Sequence, residues 1–359
     1  MKLPSDLQRH LQVVPDIDEP AHRHFPPVLR LSELLQQIPA EPLIGRLLYR
    51  DALVQFAGPA GSFKSFVAVG LCCALASSKP WGRHPVKARG RVLYVAAEGG
   101  KGVGLRVAGW CHHYGMDPVE LHDWFHTIPE PIQLGDPAHV EYLLARVREL
   151  QPALVVFDTR ARSTVGLEEN SATDQGLAIE SAERIRRAAD CTVLMVHHTG
   201  KSGNQRGTTA WPGAVWSELT LERSGLALDA TGKPLGATVT VEKHKDAEIP
   251  APASFDLVPV EVPAAWMPNV LDPTSRRTLV AVPADSPHTS VQTKVDRESR
   301  RQPAVDSVLE WLRAQHASTG RVPGRPTTSS WCKQSDLHLS DKTLGELIRQ
   351  VKHETGETG

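Results

Sequence analysis

The 359-residue sequence predicts an α/β fold, with a mostly parallel sheet carrying helices and a small helical, winged-helix-like domain after it. Three observations carry this. From about residue 45, short Val-rich runs bounded by Gly, Pro or polar residues alternate with longer helical stretches. The stretch Phe56–Phe66, FAGPAGSFKSF, sets a Gly-rich loop between one such run and a helix. A proline-rich passage then separates this region from a second, amphipathic one nearer the C-terminus.

Residues 1–44 are polar and Pro-rich, with one short helical stretch near Leu31–Gln37; such a lead-in forms no core alone. Residues 45–249 read as one domain. Buried strands are expected at Leu53–Ala57, Val92–Ala96, Leu154–Phe157, Val193–Val196, Leu219–Leu221 and Val239–Val241. Helices are expected at Phe66–Ser77, Gly102–Tyr114, Pro137–Leu150 and Thr173–Ala189. In the last, Ile179, Ala182, Ile185 and Ala189 form one apolar stripe. Residues 250–303, rich in proline, read as an edge strand at Phe255–Val262 followed by linker. Residues 304–353 read as the small helical domain. Val305, Val308, Leu309 and Leu312 share one helical face, and Ser329–Leu337 and Thr343–Val351 flank the turn HLSD, as in a helix-turn-helix or winged helix.

Composition narrows the function. A net charge of -1 gives no global basic field, so nucleic-acid contact needs local patches, which a ring could gather in its channel. None of the five cysteines forms a C-x-x-C pair, and Cys111, His112, His113 and His122 fit no common zinc spacing. The start MKLPSDLQRHLQ lacks the apolar centre of a signal peptide. The longest apolar run, Val67–Ala76, is well short of the roughly 20 residues a membrane span needs. A cytoplasmic chain with no membrane partner is expected.

The chemistry begins in the loop. Gly58, Lys64 and Ser65 match G-x-x-x-x-G-K-[ST], but Phe63 stands where the second glycine belongs. The loop Gly58, Pro59, Ala60, Gly61, Ser62, Phe63, Lys64, Ser65 and Phe66 would cradle phosphates with its backbone N–H groups, of which Pro59 supplies none. Lys64 would reach the β/γ oxygens and Ser65 would ligate Mg²⁺. RVLYVAAEGG delivers Glu98 at a strand end, the candidate general base. ALVVFDT delivers Asp158, suited to the Mg²⁺ shell through water; its successor is Thr159, which leaves Glu98 as the base. TVLMVHHTGK ends in His197 and His198, and His198 is read as the γ-phosphate sensor with His197 as the alternative. GNQRGTTAWPGAVWSELTLER carries Arg206, and VTVEKHKD carries Lys243 and Lys245, cations able to offset charge on a transferring phosphoryl group.

In this order the motifs over residues 45–245 resemble the RecA-like ATPases, and among them the RepA-type, DnaB-related hexameric helicases of plasmids and phages. GPAGSFKS resembles the first Walker motif, VLYVAAE the strand of the catalytic glutamate, and LVVFDTRARSTVGLEENSA the second Walker motif. VLMVHHTGK with QRGTTA and ELTLER resembles the sensor strand and the RGSS-like segment. The resemblance implies Mg²⁺-ATP hydrolysis between subunits of a hexameric ring acting on single-stranded DNA, possible contact with other replication proteins, Arg206 near the interface, and Lys243 and Lys245 acting in trans. It further implies that Arg160 and Arg162 could face DNA. An ATP-switched binding protein and a recombination mediator without unwinding are the alternatives. Phe63 is expected to pack toward the sheet or a neighbouring subunit, and Phe63→Gly to keep ATPase activity.

Overall fold

The computed structural model describes residues 28–36, 41–199, 208–225, 227–284, 290–335, 337 and 341–357. The chain divides into two units, 1–39 and 40–359. In the first, the described residues hold a short helix, α1 (Leu31–Leu34), whose first turn is closed by the Glu33 carboxylate on the Arg30 N–H, 2.7 Å.

The second unit opens with a two-stranded ribbon, β1 (Pro42–Ile44) and β2 (Leu48–Tyr49). The chain then alternates through β3 (Leu53–Gly58), α2 (Lys64–Ser77), β4 (Val92–Ala96), α3 (Gly100–His113), β5 (Phe125–Ile128), α4 (Pro137–Leu150) and β6 (Leu154–Asp158). It continues through α5 (Arg160–Ser163), α6 (Ala172–Arg187), β7 (Thr192–His198), α7 (Ala210–Ala214), β8 (Ser217–Arg223), β9 (Gly236–His244), β10 (Ala253–Glu261) and β11 (Arg277–Pro283). Strands β3 to β11 form one nine-stranded sheet in the order β11-β10-β9-β8-β3-β7-β6-β4-β5. The pairings from β8 to β5 are parallel, and β9, β10 and β11 extend the sheet antiparallel. This is the α/β fold the sequence predicts, with a mostly parallel sheet.

Alternation along the strands splits the core between two faces. Val54, Phe56, Val92, Tyr94, Leu154, Val156, Leu194 and Val196 join α2 and α3 on one side. Leu53, Leu93, Val95, Val155, Phe157, Val193 and Met195 join α4, α6 and α7 on the other. Parallel registry matters most for function. Gly58 pairs with His198, Ala96 with Asp158, and Asp158 with Val196, so the carboxyl ends of four strands meet along one edge. Ligands in such sheets bind at that edge.

Two sequence expectations need correction. The passage after Val262 is not all linker, because β11 pairs with β10 over seven residues and buries Val280 and Ala281 in the core. Prolines masked the strand. Pro259 lies where β10 has left its pairing with β9, and Pro283 ends β11, both places where a missing N–H is tolerated. The C-terminal region starts earlier than residue 304 and is helical without a wing among the described residues: α8 (Ser290–Thr319), α9 (Arg325–Gln334) and α10 (Asp341–Thr355). Val308, Leu312, Cys332, Leu344 and Val351 form its core, with Trp311 and Trp331 stacked at 4.6 Å. No helix among the described residues is long and apolar enough to cross a membrane.

Candidate active site

The loop after β3 is shaped by three unusual backbone positions. Gly58 admits no side chain, because a Cβ there would sit 2.4 Å from the Leu221 carbonyl oxygen. Gly61 has φ +71° and Phe63 φ +73°, both in the left-handed region. The turn is closed by the Ser62 hydroxyl, which donates to the Pro59 carbonyl at 2.7 Å. Lys64 then opens α2 with its ammonium folded under the loop, donating to the carbonyls of Gly58 (2.8 Å) and Pro59 (2.7 Å). Burial pulls the Lys64 ammonium down to about 8, against the opposing pull of Asp158 and Glu98. Both carboxylates therefore act electrostatically on the same ammonium. Phe63 packs on the sheet side, as expected: its ring lies under the Arg223 guanidinium of β8 and edge-on to Phe66.

The two acids take different surroundings. Asp158 is 1% exposed. Its Oδ2 accepts from the Tyr94 hydroxyl at 2.7 Å, while no donor among the described residues meets Oδ1. A buried carboxylate oxygen without a partner costs free energy unless a cation or water takes it, so this atom fits the hydrated Mg²⁺ assigned to Asp158 and Ser65. Burial and then Asp158 hold the Tyr94 hydroxyl well above its ordinary value, so it stays a donor. Glu98 is exposed just past β4. Thr159 donates to its Oε1 at 3.1 Å, and the Glu98 N–H donates to the Asp158 carbonyl at 3.0 Å. The residue that displaces a second acid after Asp158 thus orients the first one.

Strand alternation decides between the histidines. His198 falls on the face shared by Tyr94, Asp158 and α2, with its Nε2 3.8 Å from Glu98 Oε2. Burial and the neighbouring Lys64 push its imidazole below the usual histidine range, against the opposing pull of Glu98 and Asp158, so the neutral form is favoured at pH 7. His197 falls on the opposite face, 2% exposed, with its Nε2 3.1 Å from Arg160.

Other expectations are not brought to this site. Arg160 does not face solvent: α5 begins two residues past the strand end and turns it inward, 4% exposed, against Gln55 (3.0 Å), His197 and the Trp211 ring. Burial draws Arg160 down to about 10. Arg162 is exposed. Lys243 and Lys245 donate to the carbonyls of Pro212 (2.6 Å) and Ala214 (3.2 Å). Because β9 runs antiparallel to β8, with Ser217 opposite His244, these cations lie at the other end of the strands from their own loop. Arg206 lies outside the described residues. The sequence reading missed Tyr94, Thr159 and Arg223 as site residues. Arg223 was quoted within ELTLER without a role, and only the β3–β8 registry, Ala57 opposite Thr220, brings it beside the loop.

A family model described as an AAA domain matches residues 20–204, just over half of the chain. The chain belongs to the AAA domain family. The match opens inside the expected lead-in segment and takes in the Gly58–Ser65 loop, Tyr94, Glu98, Asp158, Thr159 and His198, but not Trp211, Leu221 or Arg223, so the acids, the loop and the sensor histidine lie within a P-loop ATPase domain. It stops short of Arg206, Lys243 and Lys245. Among solved structures the AAA domain chain is similar to a RadB recombinase, at 18% identity and a TM-score of 0.40, over 58% of this chain and 88% of that one. No curated protein matches it.

Proposed function

We propose that this AAA domain protein is an ATP-dependent DNA helicase or translocase of the RepA-like type. It would hydrolyse Mg-ATP at the subunit interfaces of a hexameric ring, act on single-stranded DNA, and serve plasmid or phage replication. The observation that carries the reading is the division of cations. Lys64 belongs to the P-loop edge, whereas Lys243 and Lys245 lie at the far strand ends, away from their own loop, and in this reading they serve a neighbouring copy's nucleotide.

In this reading Glu98 takes a proton from the attacking water, whose oxygen bonds to the γ-phosphorus as the bond to the β–γ bridging oxygen breaks. Thr159 aims the Glu98 carboxylate, and neutral His198 offers a hydrogen bond to the γ-phosphate or to the water. Lys64 exchanges loop carbonyls for phosphate oxygens. Bound Mg²⁺ supplies charge neutralisation on the β and γ oxygens. Arg206 and the two lysines complete the site from the next subunit.

ATP hydrolysis measured with and without single-stranded DNA, beside strand displacement and a mass measurement in Mg-ATP, tests this. Expected are strong stimulation by DNA, a ring mass, and loss of both activities in Lys64→Ala and Glu98→Gln, by about 10²-fold or more for the base. Turnover indifferent to DNA, with no strand displaced from a tail of either polarity, would reject the motor. It would leave the second reading, an ATP-switched DNA-binding or recombination-mediator protein. Phe63 in place of the second loop glycine and the net charge of -1 favour that reading.

A further inference from the structure

The P-loop of this chain contains two left-handed residues where a glycine pair is the easy solution, and the second is a phenylalanine. Gly61 takes φ +71° with open space about it, at no steric cost. Phe63 takes φ +73° and ψ +16°, a conformation in which a Cβ crowds the following carbonyl. Inside the loop the Ser62 hydroxyl bonds the Pro59 carbonyl and the Lys64 ammonium those of Gly58 and Pro59; a further hold comes from outside.

Arg223, the last residue of β8, grips both positions at once. Its Nε donates to the Gly61 carbonyl at 2.9 Å. Its guanidinium carbon lies 4.2 Å from the centroid of the Phe63 ring, within cation–π range. The guanidinium is itself anchored in the β8–β9 connection, donating to Asp229 Oδ2 at 2.6 Å and to the Pro234 carbonyl at 3.3 Å. Thr231 and Lys233 hold the Asp229 carboxylate with N–H bonds of 2.8 and 3.1 Å, so the anchor is preorganised. The far edge of the Phe63 ring meets Phe66, whose face is covered by Arg106 of α3 at 4.7 Å.

We propose that Arg223 is a positioning residue for nucleotide binding, which with Phe63 forms one coupled pair holding the P-loop in its phosphate-receiving shape. The inference rests on the ATPase reading and extends it to a residue outside every motif of the P-loop. A loop with glycine at position 63 reaches that shape by its own conformational freedom, whereas this loop reaches it because the β8 end clamps it. The β8–β9 connection thereby gains a direct mechanical line to the nucleotide.

The test is a double-mutant cycle on the full chain, reading the Kd of a fluorescent ATP analogue with Mg²⁺ and, separately, kcat and KM for ATP. Arg223→Ala is expected to weaken binding about tenfold, with kcat at saturating ATP changed less than about threefold. In the Phe63→Gly background the same change is expected to cost about threefold or less, since the glycine no longer needs the clamp. Arg223→Lys, which keeps a cation over the ring but cannot bond Gly61 and Asp229 together, is expected to fall between. Equal losses in both backgrounds would overturn the pairing, and Arg223→Ala binding as tightly as wild type would overturn the role itself. If Arg223→Ala fails to fold by circular dichroism, Asp229→Ala takes its place. It leaves the guanidinium present but with only the longer bond to the Pro234 carbonyl as anchor, so weaker binding supports the proposal and unchanged binding overturns it. A wild-type chain that binds no Mg-nucleotide would instead remove the ATPase reading and this proposal with it.

Discussion

Lys64 is the residue whose chemistry changes most between an empty and a filled phosphate cradle. Its ammonium is drawn down to about 8 by burial, from an ordinary value near 10.5, while it donates to neutral groups, the Gly58 and Pro59 carbonyls and the Ser62 hydroxyl. Phosphate oxygens favour the charged form, so binding raises this value and takes up a proton. At pH 8 roughly half a proton is expected per nucleotide bound, visible as a dependence of the calorimetric enthalpy on the buffer's ionisation heat. Equal enthalpies in phosphate and Tris buffers would contradict it, and Lys64→Ala should abolish the effect. The sign for stability is opposite to that of a favourably paired lysine. The unfolded chain holds this proton up to about 10.5, whereas the folded chain releases it from about 8, so this group's contribution to stability rises with pH across that window. Phe63 allows a companion measurement. Phe63→Gly relieves about 1–2 kcal/mol of left-handed strain but loses about 0.5–1 kcal/mol of cation–π contact and a similar amount to glycine's freedom in the unfolded chain. The terms nearly cancel. The melting temperature is expected to move by no more than about 4 °C, with ATP turnover retained.

At the scale of elements, the antiparallel strands β9 to β11 turn a parallel P-loop sheet into a wider one and close the α2–α3 face. Gly109 of α3 lies so close to β11 that a Cβ there would meet the Thr278 Cγ2 at 2.3 Å. Trp81, after α2, stacks on Phe255 of β10 with ring centroids 4.1 Å apart. Phe255→Ala is therefore expected to cost about 3–5 kcal/mol in chemical denaturation, the cost of a core deletion. A loss under about 1 kcal/mol would return residues 250–283 to the status of a linker. Periodicity exposed β3, β4, β6 and β7 because each is buried on both faces and reads as an unbroken apolar run. It failed for β5 and β11. Phe125–Ile128 is a half-exposed edge strand with two polar residues in four, and Arg277–Pro283 hides between prolines.

For the whole molecule, the helices after β11 have a buried cluster of their own beside the two that cover the sheet. Among the described residues, the buried cluster of the C-terminal helices includes Val308 and Leu312, the latter at 0% exposure, with Val305 packed against it. Leu312→Ala is expected to cost about 2–5 kcal/mol, enough to unfold so small a core, while ATP turnover stays within about twofold. Near-UV dichroism would follow the Trp311–Trp331 stack as it is lost. Turnover falling in step with the helices would tie them to the ATPase cycle.

The sequence by itself determined the α/β class, the P-loop and the strand ends that carry Glu98, Asp158 and His198. Those depend on local spacing and on hydrophobic runs, which are written along the chain. Only the tertiary structure decided which histidine faces the site, that Arg160 is buried, that Tyr94 and Thr159 orient the two acids, and that Arg223 reaches the loop from β8. The physical reason is that each depends on which strands are neighbours and in what register. A shift of one residue would exchange His197 for His198 at the site. Registry is fixed by packing between segments more than a hundred residues apart, such as β3 and β7, and no local pattern encodes it.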